Sequence, residues 1–226
     1  MSSQTNITRL WAVANALEAW KDKIVFVGGA TVSLYASRPF AITIRPTDDV
    51  DVVIELISLK EFYNLQEELL KLGFKHDIES KIISRFLLQG LKVDFMPTDP
   101  SILGFSNRWY SRGVKIAVQH KMDNGSPIQI FTSPYFIASK LEAFKTRGKE
   151  DLYGSHDFED IVFVLDHRDT IEEELINADE KVKAFLKEEF KKLLENKSFE
   201  EALLGHVEQN EQIDRKERIM NILKKL

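Results

Sequence analysis

Residues 49 to 54 read Asp-Val-Asp-Val-Val-Ile. This alternation puts Asp49, Asp51 and Val53 on one side of an extended strand and Val50, Val52 and Ile54 on the other. Aspartate is a poor strand residue, so two of them inside an apolar run carry a cost. Their carboxylates project from one face a few ångströms apart, and they repel unless a cation lies between them. Two-metal phosphoryl-transfer sites use this arrangement, with ions about 3.5–4 Å apart. The plainer alternative is an acidic strand end facing solvent. The tripeptide alone does not separate the two.

Two other stretches bear on the choice. In Leu91-Lys92-Val93-Asp94-Phe95-Met96 another aspartate interrupts an apolar strand. If that strand lies beside residues 49–54, Asp94 completes a three-carboxylate cluster, where it would finish a metal site and accept the proton of an attacking hydroxyl. Its alternative is an edge-strand aspartate in solvent. Ile24-Val25-Phe26-Val27 is a short apolar run that stops at Gly28-Gly29, and Ala30 to Ser37 then reads as helical until Pro39. A glycine pair between strand and helix lets backbone N–H groups approach a triphosphate, with Thr31 adding a hydroxyl. It also serves turn geometry alone.

The remaining elements follow from periodicity and turn chemistry. Asn6 or Thr8 is expected to cap a first helix carrying Leu10, Val13, Ala14 and Leu17. Residues 58–72 form an amphipathic helix closed by Gly73. Arg85 to Leu88 and Leu91 to Phe95 make a hairpin about Gln89-Gly90. Val114 to Val118 and Ile128 to Phe131 read as strands flanking the Asp123-Asn124-Gly125 turn. At Ser133-Pro134 the character becomes helical. The expected organisation is a mixed α/β unit over 1–132 and a helical unit over 133–226.

On the first helix of the second half, Lys140, Phe144 and Arg147 fall at i, i+4 and i+7, so both cations leave one face. Together they would steady β and γ phosphates; singly, each reads as a solvated side chain. Asp157 and Asp160, three apart on the next helix, would orient these cations or the base, or simply favour their helix start through its dipole. The five histidines lack metal-ligand spacing, and His156 is expected to be structural or at the surface. The sequence contains no Gly-x-Ser-x-Gly turn and no Gly-x-x-x-x-Gly-Lys-Ser/Thr loop.

Composition narrows the class. The 226 residues include 43% hydrophobic side chains, 15 Phe and 3 Trp, enough for a sizeable core. No apolar run reaches the roughly 20 residues of a membrane span, so no membrane partner is expected. The chain has no cysteine and starts without a basic and apolar leader, which makes cytoplasm the expected compartment. A net charge of −5 argues against non-specific polyanion binding, and leaves room for a local basic face.

Taken together these stretches resemble the nucleotidyltransferase superfamily of the polymerase-beta type. More narrowly, they are similar to the AbiEii/AbiGii-type (MenT-like) toxin nucleotidyltransferases. The matching residues are Phe26-Val27-Gly28-Gly29-Ala30-Thr31, Arg45-Pro46-Thr47-Asp48-Asp49-Val50-Asp51, Val93-Asp94-Phe95, Lys140 through Arg147 and Asp157-Phe158-Glu159-Asp160. They span residues 20 to 166. The resemblance implies an α/β (α+β) fold, a small mixed sheet flanked by helices and followed by a helical C-terminal region. It also implies that Asp49 and Asp51 bind Mg²⁺ (or Mn²⁺), that Gly28 and Gly29 hold the triphosphate of an NTP such as ATP, and that Lys140 and Asp157 belong to the active site. The wider superfamily often has Gly-Ser at the turn, where this chain has Gly-Gly-Ala-Thr.

The expected activity is therefore transfer of an NMP from an NTP to an acceptor, with release of pyrophosphate. RNA, tRNA in particular, is the expected acceptor, and an antitoxin protein is a further partner in such systems. The alternatives are a small-molecule acceptor of the aminoglycoside kind and a non-catalytic nucleotide-binding module. Three clustered aspartates argue against the last.

Overall fold

The computed structural model describes residues 2–37, 44–122 and 125–226. Pro39, expected to end the helix after the glycine pair, lies outside them, as do Asp123 and Asn124 of the expected turn. The chain divides into two compact units, Met1–Thr31 with Thr43–Thr132, and Val32–Ile42 with Ser133–Leu226.

The first unit is built on a mixed seven-stranded sheet: β1 (Ile24–Val27), β2 (Asp49–Ile54), β3 (Lys75–His76), β4 (Arg85–Leu88), β5 (Leu91–Pro97), β6 (Val118–Lys121) and β7 (Pro127–Ile130). Their spatial order is β3-β4-β5-β2-β1-β7-β6. β2 lies antiparallel to β1 and parallel to β5, and β7 runs parallel to β1. The alternation of β2 settles which of its faces is dry. Val50 and Val52 pair with Val93 and Phe95 of β5, and all four are fully buried. Phe86 pairs with Val93 and meets Phe95 edge-to-face, the rings 5.7 Å apart. Asp49, Asp51 and Asp94 therefore occupy the opposite face of these strands.

Turn chemistry fixes the β4–β5 register. Gln89 and Gly90 both adopt positive φ (51° and 88°), the geometry of a two-residue hairpin turn. Counting outward from it pairs Leu88 with Leu91 and, three steps on, Arg85 with Asp94.

Helices α1 (Ser2–Ala16), α2 (Leu59–Lys71), α3 (Pro100–Leu103) and α4 (Tyr110–Lys115) complete this unit. Ser58 caps α2 by accepting from the Glu61 N–H, and Gly73 follows the helix at φ 91°. Two expectations need correction. α1 starts at Ser2, so Asn6 and Thr8 are inside it rather than at its cap; Thr8 donates back to the Gln4 carbonyl. Val114 lies in α4, not in a strand, and β6 starts at Val118. Gly113 allows α4 to sit against the Phe131 ring, where a Cβ would be 2.8 Å away, and a run as short as residues 114–118 has no period with which to declare itself. The helical segment expected after the glycine pair is present as a 3₁₀ helix, Gly29–Tyr35, begun by the Thr31 N–H and hydroxyl both bonding the Gly28 carbonyl.

The second unit is helical: α5 (Ser133–Thr146), α6 (His156–His167), α7 (Ile171–Ile176), α8 (Glu180–Glu195), α9 (Phe199–His206) and α10 (Gln212–Lys225). α5 contacts α6, α7 and α8, while α10 contacts α6, α8 and α9. Residues 133 to 141 are buried without interruption. Phe158 meets the Phe144 ring at a tilt, 5.5 Å between centroids, and the Phe199 ring edge-on at 6.0 Å. Arg218 of α10 donates to the carbonyls of Leu165, Asp166 and Arg168, closing the C-terminal end of α6 at 2.6 to 3.0 Å. The architecture is thus the expected one, a mixed sheet with helices followed by a helical C-terminal region. Among the described residues no helix is long and apolar enough to cross a membrane.

Candidate active site

Val27, the last residue of β1, pairs with Asp51 of β2, which brings the glycine turn up to the acidic face. Gly28 has φ 75°, and a Cβ placed on it would overlap the Asp51 carboxylate, with the carboxyl carbon only 2.8 Å off. Glycine is required here twice over, for its left-handed backbone and for the space it leaves to Asp51. Thr31 is fully buried and its hydroxyl donates to the Gly28 carbonyl at 2.9 Å. It braces the turn from within. Gly29 begins the 3₁₀ helix directly behind Gly28.

Asp94 stands beside Asp51 in the parallel β2–β5 ladder, and Arg85 stands beside Asp94 on the other side. Arg85 grips Asp94 with two parallel bonds, Nε to Oδ1 and Nη2 to Oδ2, both 2.7 Å. The same Nη2 reaches Asp49 Oδ2 at 3.0 Å. Hydrogen bonding to Asp94, working against partial burial and aided by the charges of Asp94, Asp49 and Asp51, holds the guanidinium above its ordinary pKa. Side-chain exposure is 14% for Arg85, 10% for Asp94 and 35% for Asp49, so the Asp49 end of this network is the wetter one.

The entry into β2 is pinned from α1. Asn6, fully buried, donates to the Arg45 carbonyl at 3.1 Å and accepts the Thr47 N–H at 3.0 Å. Thr47 in turn donates to the Asp49 carbonyl at 3.0 Å. One side-chain amide thus satisfies two backbone groups of the segment that delivers the aspartates.

The other predicted site residues belong to the helical unit. Lys140 of α5 is buried between Asp157 and Asp160 of α6, at 3.0 and 2.6 Å. Burial opposes its charge, yet Asp160 and Asp157 outweigh that and raise the ammonium above its ordinary pKa. Arg147 makes two 2.9 Å bonds to Asp157. Burial again works against the Asp157 charge, but Arg147 and Lys140 prevail and hold the carboxyl at about 2. The i, i+7 spacing of the cations and the i, i+3 spacing of the aspartates thus resolve into one ion-paired cluster. Lys140 is its interior member, while the Arg147 side chain remains 71% exposed. His156 lies at the surface against Glu159.

The oxygen donors of Asp49 and Asp51, side by side on one face, have the hard-ligand chemistry that Mg²⁺ or Mn²⁺ requires. Asp94 is different, since both its oxygens already accept from Arg85. Among the described residues no group of three or more His, Asp or Glu side chains is arranged to hold a metal ion. The fit is therefore to a two-carboxylate site with an arginine-bound third. Arg85 and Asn6 did not figure among the predicted site residues. The hairpin turn carried the signal for Arg85, because a two-residue loop at 89–90 dictates the 85–94 pair. No protein-family model and no curated protein matches this chain.

Proposed function

We propose that this protein is a Mg²⁺-dependent nucleotidyltransferase that moves an NMP from an NTP onto RNA. The observation that carries the reading is the seating of Asp51 against the Gly28 turn. An ion held by the Asp51 carboxylate would then lie directly beside the backbone turn that would receive the phosphates. The acceptor hydroxyl oxygen attacks the α phosphorus and gives up its proton to water, the Pα–O bond to the β phosphate breaks, and pyrophosphate leaves with the electron pair. A bound Mg²⁺ would neutralise phosphate charge and polarise the reacting oxygens. In this reading Asp49 and Asp51 hold the ion and the Gly28-Gly29 backbone receives the triphosphate. Asp94 acts through Arg85, keeping the guanidinium against the acidic face. Lys140 fixes Asp157 and Asp160, and Arg147, bonded to Asp157 from the surface, completes that cluster. The resemblance to AbiEii/AbiGii-type toxins supports an RNA acceptor and an antitoxin partner.

A second reading has a specific observation in its favour. Arg85 offsets part of the negative charge of Asp49 and Asp94, so the clustering of aspartates does not by itself demand a cation. A nucleotide-binding module without turnover fits that fact. The two are separated by incubating the protein with each labelled NTP, Mg²⁺ and total cellular RNA. Label in a tRNA-sized band supports the transferase. Pyrophosphate release only with small-molecule extracts moves the acceptor class to small molecules. NTP binding without turnover on either favours the binding module.

A further inference from the structure

Arg85 is unequally shared. Asp94 holds it with two short bonds in a mostly buried pair, the geometry in which an arginine–carboxylate contact is strongest. Asp49 holds it with one 3.0 Å bond to an oxygen on a side chain about one-third exposed. Asp51 sits next along the same face, close enough for its charge to act on the guanidinium. A divalent ion placed between Asp49 and Asp51 would be a close neighbour of that guanidinium, and two cations so placed repel.

We propose that Arg85 is an internal counter-cation of the acidic face, and that a divalent ion binds Asp49 and Asp51 by taking Asp49 away from Arg85 while Asp94 keeps it. The identity of the ion as the cofactor of nucleotidyl transfer rests on the reading above; the competition itself does not. In the free protein Arg85 makes the three aspartates tolerable and at the same time depresses their affinity for a bare metal ion. An incoming triphosphate adds the negative charge that reverses this balance, so ion and nucleotide enter together.

The test uses Mn²⁺ alone, followed by the electron paramagnetic resonance of the free ion, without nucleotide. Proteins compared are the wild type, Arg85→Gln, and the double variant Arg85→Gln/Asp94→Asn, in which no buried charge is left unpaired and folding is protected. Arg85→Gln is expected to bind Mn²⁺ at least about tenfold more tightly than wild type, since a neighbouring positive charge has gone, and the double variant, which loses one charge of each sign but frees Asp49, is expected to keep a smaller gain of the same sign. Adding Asp49→Asn to either should erase the gain. Affinity equal to or weaker than wild type in both variants overturns the proposal and makes Arg85 a plain brace. A parallel label-transfer assay on wild type keeps the two claims apart. Tighter Mn²⁺ binding with no transfer leaves the counter-cation standing and removes the transferase, whereas transfer without tighter binding does the reverse.

Discussion

Gly28 and Asp51 occupy each other's space: the carboxylate of one lies where the side chain of the other would begin. Gly28→Ala should therefore cost stability through its φ of 75° and again by displacing Asp51. Gly73 is the control, because it too has positive φ, 91°, but an added Cβ there meets nothing within 4 Å. Urea unfolding should show Gly73→Ala down by about 1 kcal/mol and Gly28→Ala down by about 1–3 kcal/mol more. Equal losses at both positions would remove Asp51 from the explanation.

Asn6 bonds one carbonyl and one N–H of the chain leading into β2. Asn6→Ala leaves the buried Thr47 N–H and the half-buried Arg45 carbonyl without this partner and should lower stability by about 1–3 kcal/mol in urea titration. Amide exchange of Thr47 should rise with it. A loss below about 0.5 kcal/mol with unchanged Thr47 exchange would mean that the segment is held by other contacts.

The ammonium of Lys140 pairs with both Asp160 and Asp157, and Arg147 holds Asp157 as well. Lys140→Met leaves two buried carboxylates short of a cation and should cost about 3–5 kcal/mol. Arg147→Gln, at an exposed position, should cost under about 1 kcal/mol. Reversal of that order in thermal or urea unfolding would contradict the buried-cluster description.

Asp157 carries the acid sensitivity of this cluster. Its carboxyl is held at about 2 in the folded chain, against about 3.9 for an unfolded aspartate. The lowered value contributes stability that is complete above the unfolded value and is lost as pH falls through the folded one. The contribution is about 2 kcal/mol. Between pH 5 and pH 2, wild type should lose that much more stability than Asp157→Asn. Parallel pH profiles for the two proteins would show that Asp157 gains nothing from Lys140 and Arg147.

Much of the sheet was legible because its signals are local. The Asp-Val-Asp alternation, the apolar run into Gly28 and the Gln89-Gly90 turn each specify geometry within a few residues. What escaped was set by distant partners. Asn6 has the look of a helix cap until the Arg45–Thr47 segment comes to meet it, 39 to 41 residues along the chain. Lys140 reads as solvated because lysine usually is, yet it follows an unbroken run from Ser133 to Ser139 that buries every residue. Arg85 was within reach, since the turn dictates its pairing with Asp94. The reach of its second amine to Asp49, across the intervening strand, depends on the parallel β2–β5 register, which no local signal encodes.

In the proposed reaction Asp51 serves chemistry at the Gly28 turn. The direct measurement is NMP transfer from labelled NTP to RNA with Mg²⁺, comparing wild type with Asp51→Asn at matched folding by circular dichroism. The account predicts a loss of at least about a hundredfold in transfer with the unfolding midpoint little changed. Substantial transfer by a folded Asp51→Asn protein would contradict it.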